Sequence, residues 1–246
     1  MTIAEVSAPS LELVDVVKRY GAGVTEVRAL TNVSLTVDRG EFVALMGPSG
    51  SGKSTLLHLA GGLERPSAGQ VLVEGQDLDA LDAGGLAALR RRSVGFVFQR
   101  LNLVPTLTAV ENVMLPLELD GRSPGAARRE AVDTLRLVSI EGPLDRYPDD
   151  LSGGQQQRVA IARAIVGDRN LVLADEPTGS LDSVTADRVI ELLASLVSER
   201  GCSLVLVTHE ARFAAWADRI VRVRDGLLSE ETRRLSVDAE LAAVRP

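Results

Sequence analysis

One stretch limits the possible folds of this chain more than any other. "GEFVALMG" (40–47) is a near-continuous apolar run of the kind found in a strand buried on both faces. It meets the glycine- and serine-rich turn "GPSGSGKST" (47–55), and "STLLHLAGGL" then has the pattern of a helix. Strand, tight loop and helix in that order are the context that the pattern G-x-x-x-x-G-K-[ST] requires. The glycines let backbone N–H groups turn inward around a polyphosphate, and the helix N-terminus adds its positive end. Gly47, Pro48, Ser49, Gly50, Ser51, Gly52, Lys53, Ser54 and Thr55 are thus the expected nucleotide cradle. Lys53 places its ammonium at the β- and γ-phosphates, and Ser54 offers a hydroxyl to Mg2+. A plain Gly/Ser turn is the bland alternative; the pattern arises by chance in roughly one chain in a hundred of this size.

The rest of the chain alternates in a way that fits this start. "LELVDVVKRY" (11–20) and "VRALTNVSLTV" (27–37) alternate apolar and polar residues and read as antiparallel strands. Short strands follow at 69–75 and 93–99. From about Leu103 to Tyr147 the character changes to helices, "TAVENVMLPLEL" and "PGAARREAVDTLRLV", the latter opened by Pro124. Alternation then resumes: a strand at 170–177, an amphipathic helix at 183–200, a strand at 202–209, a short helix at "EARFAAWAD", and a strand and turn at 219–228. The expected fold is α/β: a P-loop NTPase core with a mostly parallel sheet, an N-terminal antiparallel β subdomain and an inserted α-helical subdomain. On this reading one domain fills the chain, with core at 11–100 and 152–228, helical insert at about 101–151 and a tail at 229–246. The first ten residues and the tail are expected to be loosely attached.

Two acids complete the chemistry legible from residue types. "LVLADEP" runs four apolar residues into Asp175 and Glu176 at a strand's C-terminal end, the edge where open α/β sheets bind ligands. Asp175 suits the coordination sphere of Mg2+, and Glu176 suits polarisation of the water that attacks a γ-phosphate.

Composition narrows the remaining classes. A net charge of −7 over 246 residues argues against nucleic acid as a partner, though not against a local basic patch. One cysteine, Cys202, excludes an intramolecular disulfide and a multi-cysteine zinc site, and fits a reducing cytoplasm. The N-terminus is expected to carry no secretory signal, its first basic residue being Lys18, and no apolar run reaches bilayer-spanning length.

"LSGGQ" (151–155) resembles the signature of the ATP-binding cassette (ABC) ATPases, and the chain holds the rest of their set in order over residues 11 to 228. The resemblance implies ATP and Mg2+ as ligands. It places Tyr20 on adenine, Gln99 between Mg2+ and the water, Asp175 near the metal, Asp182 in the loop "SLD", and His209 at the γ-phosphate. Lys53, Gln99, Glu176 and His209 would carry the catalysis, with Ser54, Gln99 and Asp175 around the metal. Ser152, Gly153, Gly154 and Gln155 would reach the ATP held by a second copy, making a head-to-tail homodimer glued by nucleotide.

Only residues 100–150 separate Gln99 from the signature, too few for the coiled coils of the chromosome-organising branch. "VGFVFQRLNLVPTLTAVENVMLPLEL" is similar to the ATPases of the macrolide-exporter, lipoprotein-release and cell-division group. That implies a separate membrane permease as partner, a peripheral place on the cytoplasmic face of the inner membrane, and a groove beside apolar Leu101, Leu103, Val104 and Leu107 for a permease helix. A regulatory clamp acting on a cell-wall hydrolase is the alternative. His58 is expected to pack, Trp216 to be core, and the three glutamines with Arg158 to be helix surface.

Overall fold

Phe42, Val43, Ala44 and Leu45 are all buried, and they divide between two apolar cores. Phe42 and Ala44 join one, Val43 and Leu45 the other. A strand flanked by two cores has no wet face, which is why its sequence is continuously apolar.

The computed structural model describes residues 8–179 and 181–233. In chain order it contains β1 (Leu11–Tyr20), β2 (Val27–Val37), β3 (Phe42–Met46), α1 (Lys53–Ala60), β4 (Ala68–Val73), β5 (Gln76–Asp77), α2 (Ala83–Arg92), β6 (Val94–Val97), α3 (Ala109–Leu119) and α4 (Pro124–Leu137). It continues with α5 (Gly153–Ile165), β7 (Leu171–Asp175), α6 (Ser183–Arg200), β8 (Ser203–Val207), α7 (Ala211–Ala214), β9 (Arg219–Arg224) and β10 (Leu227–Arg233).

Two sheets result: an antiparallel one of order β2-β1-β4-β5, and a six-stranded one of order β10-β9-β3-β8-β7-β6. In the larger sheet only the β9–β10 pair is antiparallel. Its faces are read directly from the strands. Leu171, Leu173, Val205 and Val207 point to the core shared with α1 and the antiparallel sheet. Val172, Ala174, Leu204 and Leu206 point to the core shared with α3, α4, α5 and α6. The expected mixed α/β architecture is present, matching in arrangement the antiparallel and mostly parallel halves anticipated.

Several expectations need correction. Ser10 is buried, its N–H donating to Val37 O at 2.9 Å and its hydroxyl accepting from Ser203 at 2.7 Å, so attachment begins before Leu11. The stretch from Ser229 is not loose over the described residues: β10 runs to Arg233, paired with Arg219 across an Asp225–Gly226 turn. The remainder of the expected tail and residues 1–7 lie outside the described residues, as does Ser180 of "SLD". Helix α2, which carries Gly84 and Gly85 in its first turn, has no counterpart among the expected elements. The Asp82 carboxylate caps its first turn by accepting from Gly85 N at 2.7 Å, and Leu89 is buried. Trp216 is 45% exposed; Phe213 fills the core there, and α7 stops at Ala214 before its period reaches residue 216.

Candidate functional site

The parallel pairing brings the expected residues to one edge. Leu45 and Asp175 both pair with Val207, and Val97 pairs with Ala174, so the C-terminal ends of β3, β6, β7 and β8 lie side by side. The phosphate loop, Gln99, Glu176 and His209 all leave from those ends.

In the loop, Gly52 holds φ 104° as the residue before α1, and a Cβ there would stand 2.5 Å from Ala29 O. Only glycine fits both the backbone angle and the contact. Lys53 is 6% exposed, and its ammonium donates to Gly47 O at 2.8 Å and Pro48 O at 2.7 Å. A cation is thereby fixed inside the loop, at the head of a helix dipole that adds to its field.

Glu176 sits at φ 44°, a left-handed angle that costs a non-glycine residue roughly 1–2 kcal/mol. Its N–H donates to Val207 O at 3.0 Å, which holds the bend. The bend carries the side chain off the strand line and between two partners. Its Oε1 is 3.4 Å from His209 Nδ1, and Gln99 Nε2 donates to Oε2 at 3.4 Å. The structure thus gathers Gln99, Glu176 and His209, three residues distant in sequence.

Asp175 is half-buried. Burial pushes its carboxyl up, a Ser54 hydrogen bond pulls the other way, and the neighbouring Glu176 charge pushes up again. A hydroxyl and a partly desolvated carboxylate form a small all-oxygen donor set, which fits Mg2+ held mainly through substrate phosphates.

Tyr20, 39% exposed, ends β1 with its hydroxyl donating to Glu64 Oε2 at 2.7 Å. Lys18 and His58 reach the same carboxylate at 2.9 and 3.3 Å. Burial pushes Glu64 up, but the bonds from Tyr20, Lys18 and His58 outweigh it and the carboxyl is held below its ordinary range. His58 therefore shares a hydrogen bond with Glu64 behind the expected base site rather than only packing. If the ring stacks on a base, Tyr20→Ala should weaken ATP binding about tenfold, within the 1–3 kcal/mol range of such contacts, as titration calorimetry would read. Tyr20→Phe should stay within about twofold; a Tyr20→Ala protein with unchanged affinity would remove the ring from the site.

The signature opens α5 differently from the expectation in one respect. Ser152 and Gln155 form a capping box: Ser152 N donates to Gln155 Oε1 at 3.0 Å and Gln155 N to Ser152 Oγ at 3.3 Å. Gln156 Nε2 donates to Pro148 O at 2.9 Å and Leu151 O at 3.2 Å, Gln157 is 1% exposed, and Arg158 donates to Val138 O at 2.7 Å. Gln157 is thus not helix surface, and Gln155, Gln156 and Arg158, each half-buried, are tied to backbone rather than free on it. The chain before α5 folds back over the helix and leaves carbonyls that need donors. The two glycines differ. A Cβ on Gly154 would meet Thr185 Cγ2 at 2.7 Å, whereas one on Gly153 meets nothing within 4 Å. No fold-internal contact demands glycine at 153. Its N–H and that of Gly154, as first-turn donors, have no intrahelical acceptor.

Asp182 caps α6, accepting from Val184 N and Thr185 N at 3.1 Å each and from the Thr185 hydroxyl at 2.6 Å. Hydrogen bonds from the Thr185 side chain and backbone hold its carboxyl low. Its observed work is to fix the loop before α6, next to Gly154.

Asn112, fully buried on α3, was missed. Its Oδ1 accepts from Val104 N at 2.8 Å, and its Nδ2 donates to the carbonyls of Val104, Leu107 and Thr108 at 3.1, 2.9 and 3.1 Å. It clamps the loop after Gln99. The sequence signal was an asparagine on an otherwise apolar helix face, one step after the capping pair Thr108 and Glu111.

A family model described as ABC transporter matches residues 30–179. The lipoprotein-releasing system ATP-binding protein LolD of Syntrophotalea carbinolica is 45% identical, over 90% of this chain and 98% of its own. The macrolide export ATP-binding/permease protein MacB of Hyphomonas neptunium is 46% identical over 95% of this chain, which spans 36% of that longer protein. A solved dimer of the ATP-binding cassette MJ0796, in a post-hydrolysis state bound to ADP and Pi, superimposes with a TM-score of 0.85 at 42% identity, covering 91% of this chain and 98% of that one.

Proposed function

Because the chain belongs to the ABC transporter family as an ATP-binding cassette, we propose that it hydrolyses Mg-ATP in a head-to-tail homodimer that drives a membrane-embedded permease. The observation that carries the reading is the meeting of Gln99, Glu176 and His209 at the sheet edge that also presents the phosphate loop.

The residues divide the work. The loop amides and Lys53 hold the β- and γ-phosphates, and Tyr20 supports the base. Glu176 accepts a hydrogen bond from the attacking water and takes its proton, later released with the products, with Gln99 and His209 orienting the carboxylate and meeting the γ-phosphate. Water attacks the γ-phosphorus, the bond to the β,γ-bridging oxygen breaks, and ADP and phosphate leave. Ser54, Gln99 and Asp175 would hold Mg2+, which supplies charge neutralisation on the phosphate oxygens.

The signature works in trans on this reading. Gly153 needs no space within its own chain, and the free N–H groups at the tip of α5 suit an anion brought by a second copy. The dimeric state of the solved cassette supports it. Gly153→Asp separates fold from function. A carboxylate at a helix N-terminus stabilises the helix by about 0.3–1 kcal/mol, so the melting temperature should hold or rise. The same charge repels the partner's triphosphate, and ATPase turnover should fall at least about tenfold. Wild-type turnover in a Gly153→Asp protein would reject the trans role.

The permease side rests on a groove of 410 Å3 between β6 and the helical lobe, which Asn102 lines but none of Leu101, Leu103, Val104 and Leu107, the residues beside which it was expected. Its lining includes Phe98, the residue directly before Gln99, so a helix seated there would adjoin the strand end that carries Gln99. The names of LolD and MacB fit an export-type permease, with this chain peripheral to the inner membrane on its cytoplasmic side. No described helix is long and apolar enough to cross a membrane.

A further inference from the structure

Of the two signature glycines, only Gly154 is crowded by its own chain. It lies in the first turn of α5, where the backbone is helical and alanine is ordinarily preferred to glycine. Backbone freedom is therefore no reason for a glycine there; space is. A Cβ at residue 154 would stand 2.7 Å from Thr185 Cγ2, whereas ordinary contact between carbons lies at about 3.5–4.0 Å. Room for it would require α5 and α6 to part by about 1 Å at that point. At Gly153 an added Cβ meets nothing within 4 Å.

Thr185 is held in place from its other end. Its hydroxyl donates to Asp182 Oδ2 at 2.6 Å, while Asp182 Oδ1 accepts from Val184 N and Thr185 N at 3.1 Å each. A short bond to a carboxylate is of the strong kind, and rotation about the Cα–Cβ bond would break it. A β-branched side chain pinned in this way presents its methyl as a fixed stop. Across the contact, the capping box of Ser152 and Gln155 closes the turn that carries Gly154. Neither side can yield without losing a hydrogen bond.

We propose that Thr185 is the positioning residue of the signature. Its methyl sets how deeply the Gly154 turn sits, and so the direction in which the N–H groups of Gly153 and Gly154 face the partner's triphosphate. The inference rests on the trans role proposed above and adds the residue that aims the signature. Glycine at 154 answers to Thr185 within the chain; glycine at 153 answers to the second copy. Thr185 acts through Gly154 and not on the nucleotide itself.

Moving one methyl across the contact tests this, since Gly154→Ala combined with Thr185→Ser conserves the volume between the helices. Gly154→Ala alone should cut ATPase turnover about tenfold or more, as a misplacement of about 1 Å commonly does. In the Glu176→Gln background it should raise by a similar factor the protein concentration needed to dimerise under saturating Mg-ATP. ATP affinity of the single chain should not move, because the phosphate loop builds that site; a general loss of structure would lower it. Adding Thr185→Ser leaves only Oγ1 at 3.9 Å and Cβ at 4.0 Å from the new methyl. Turnover and dimerisation should then return to within about threefold of wild type. Thr185→Val, which keeps the methyl, should not rescue Gly154→Ala, and Thr185→Ser should not rescue Gly153→Ala.

A Gly154→Ala protein with wild-type turnover, or one that Thr185→Ser leaves as slow, overturns the inference while the trans role stands on Gly153→Asp. Should Gly154→Ala not fold, the double variant is read against Thr185→Ser alone, and turnover about tenfold below it overturns the inference equally. A nucleotide-dependent dimer indifferent to Gly153→Asp overturns the trans role, and this inference with it.

Discussion

Glu176→Gln should lower steady-state ATP hydrolysis by about 10²–10⁴-fold, the span that removal of a general base commonly produces, while leaving ATP affinity within a few-fold of wild type. The amide keeps the size and one acceptor oxygen of the carboxylate. It loses the charge that draws a proton from water. Gln99 and His209 approach Glu176 at 3.4 Å, on different oxygens, and both contacts survive in form if the amide oxygen takes one of them. The left-handed angle at residue 176 costs glutamine about as much as glutamate, so stability should hold. Phosphate release measured under saturating Mg-ATP reads the first effect and equilibrium titration the second. Turnover at the wild-type rate would remove Glu176 from the chemistry and leave Asp175 as the only acid on that strand end.

Lys53→Ala should act one step earlier, on binding. The ammonium is the single side-chain cation inside the loop, and charge-assisted hydrogen bonds to phosphate are worth about 1.5–3 kcal/mol each. Affinity for ATP should therefore fall on the order of 10²-fold, and for AMP, which lacks the β- and γ-phosphates, by far less. The loop itself should also loosen. Gly47 O and Pro48 O lose their donor, which costs about 1 kcal/mol or more if no water replaces it. A drop of about 2–4 °C in melting temperature per kcal/mol in a chain of this size would report that loss separately from affinity. Equal loss of affinity for ATP and AMP would place Lys53 in a structural role alone.

The parts of this site that could be read from the sequence are those where chemistry and backbone geometry coincide. The phosphate loop needs its glycines and lysine at fixed spacing, and β3 and β7 need apolar runs because both faces are buried. Asp175 and Glu176 stand out because acids end an apolar strand. What escaped was whatever depends on segments meeting after folding. Gln155, Gln156 and Gln157 have the same letter and three different surroundings: a capping box, two loop carbonyls and a buried slot. Gln155 alone carries a local sign, its place three residues after Ser152 as in a capping box; nothing local distinguishes Gln156 from Gln157. Arg163 lies on α5 and Arg169 just after it, but Arg163 donates to carbonyls 61 and 62 positions away and Arg169 to one 78 positions away as well as to Arg163 O nearby. Trp216 was misplaced by its hydrophobicity, since the helix that would have turned it inward ends two residues earlier. Ser10 and β10 were underrated because polar and charged residues at chain ends pair through their backbones, which composition does not show.

Asp182 illustrates a different limit. Its place in the resemblance suggests nucleotide contact, yet its carboxylate is engaged by Val184, Thr185 and the Thr185 hydroxyl. The same Thr185 backs Gly154. The loop before α6 and the tip of α5 are thus braced against each other, which suits the proposed meeting with a second copy.

Light scattering of the Glu176→Gln protein in solution, with and without saturating Mg-ATP, tests the trans role of the signature most directly. The chain has a mass of 26.2 kDa. The expected result is that mass without nucleotide and about twice that mass with it, the doubling lost when Gly153→Asp is added. A single-chain mass at full ATP occupancy, or a dimer indifferent to residue 153, would contradict it.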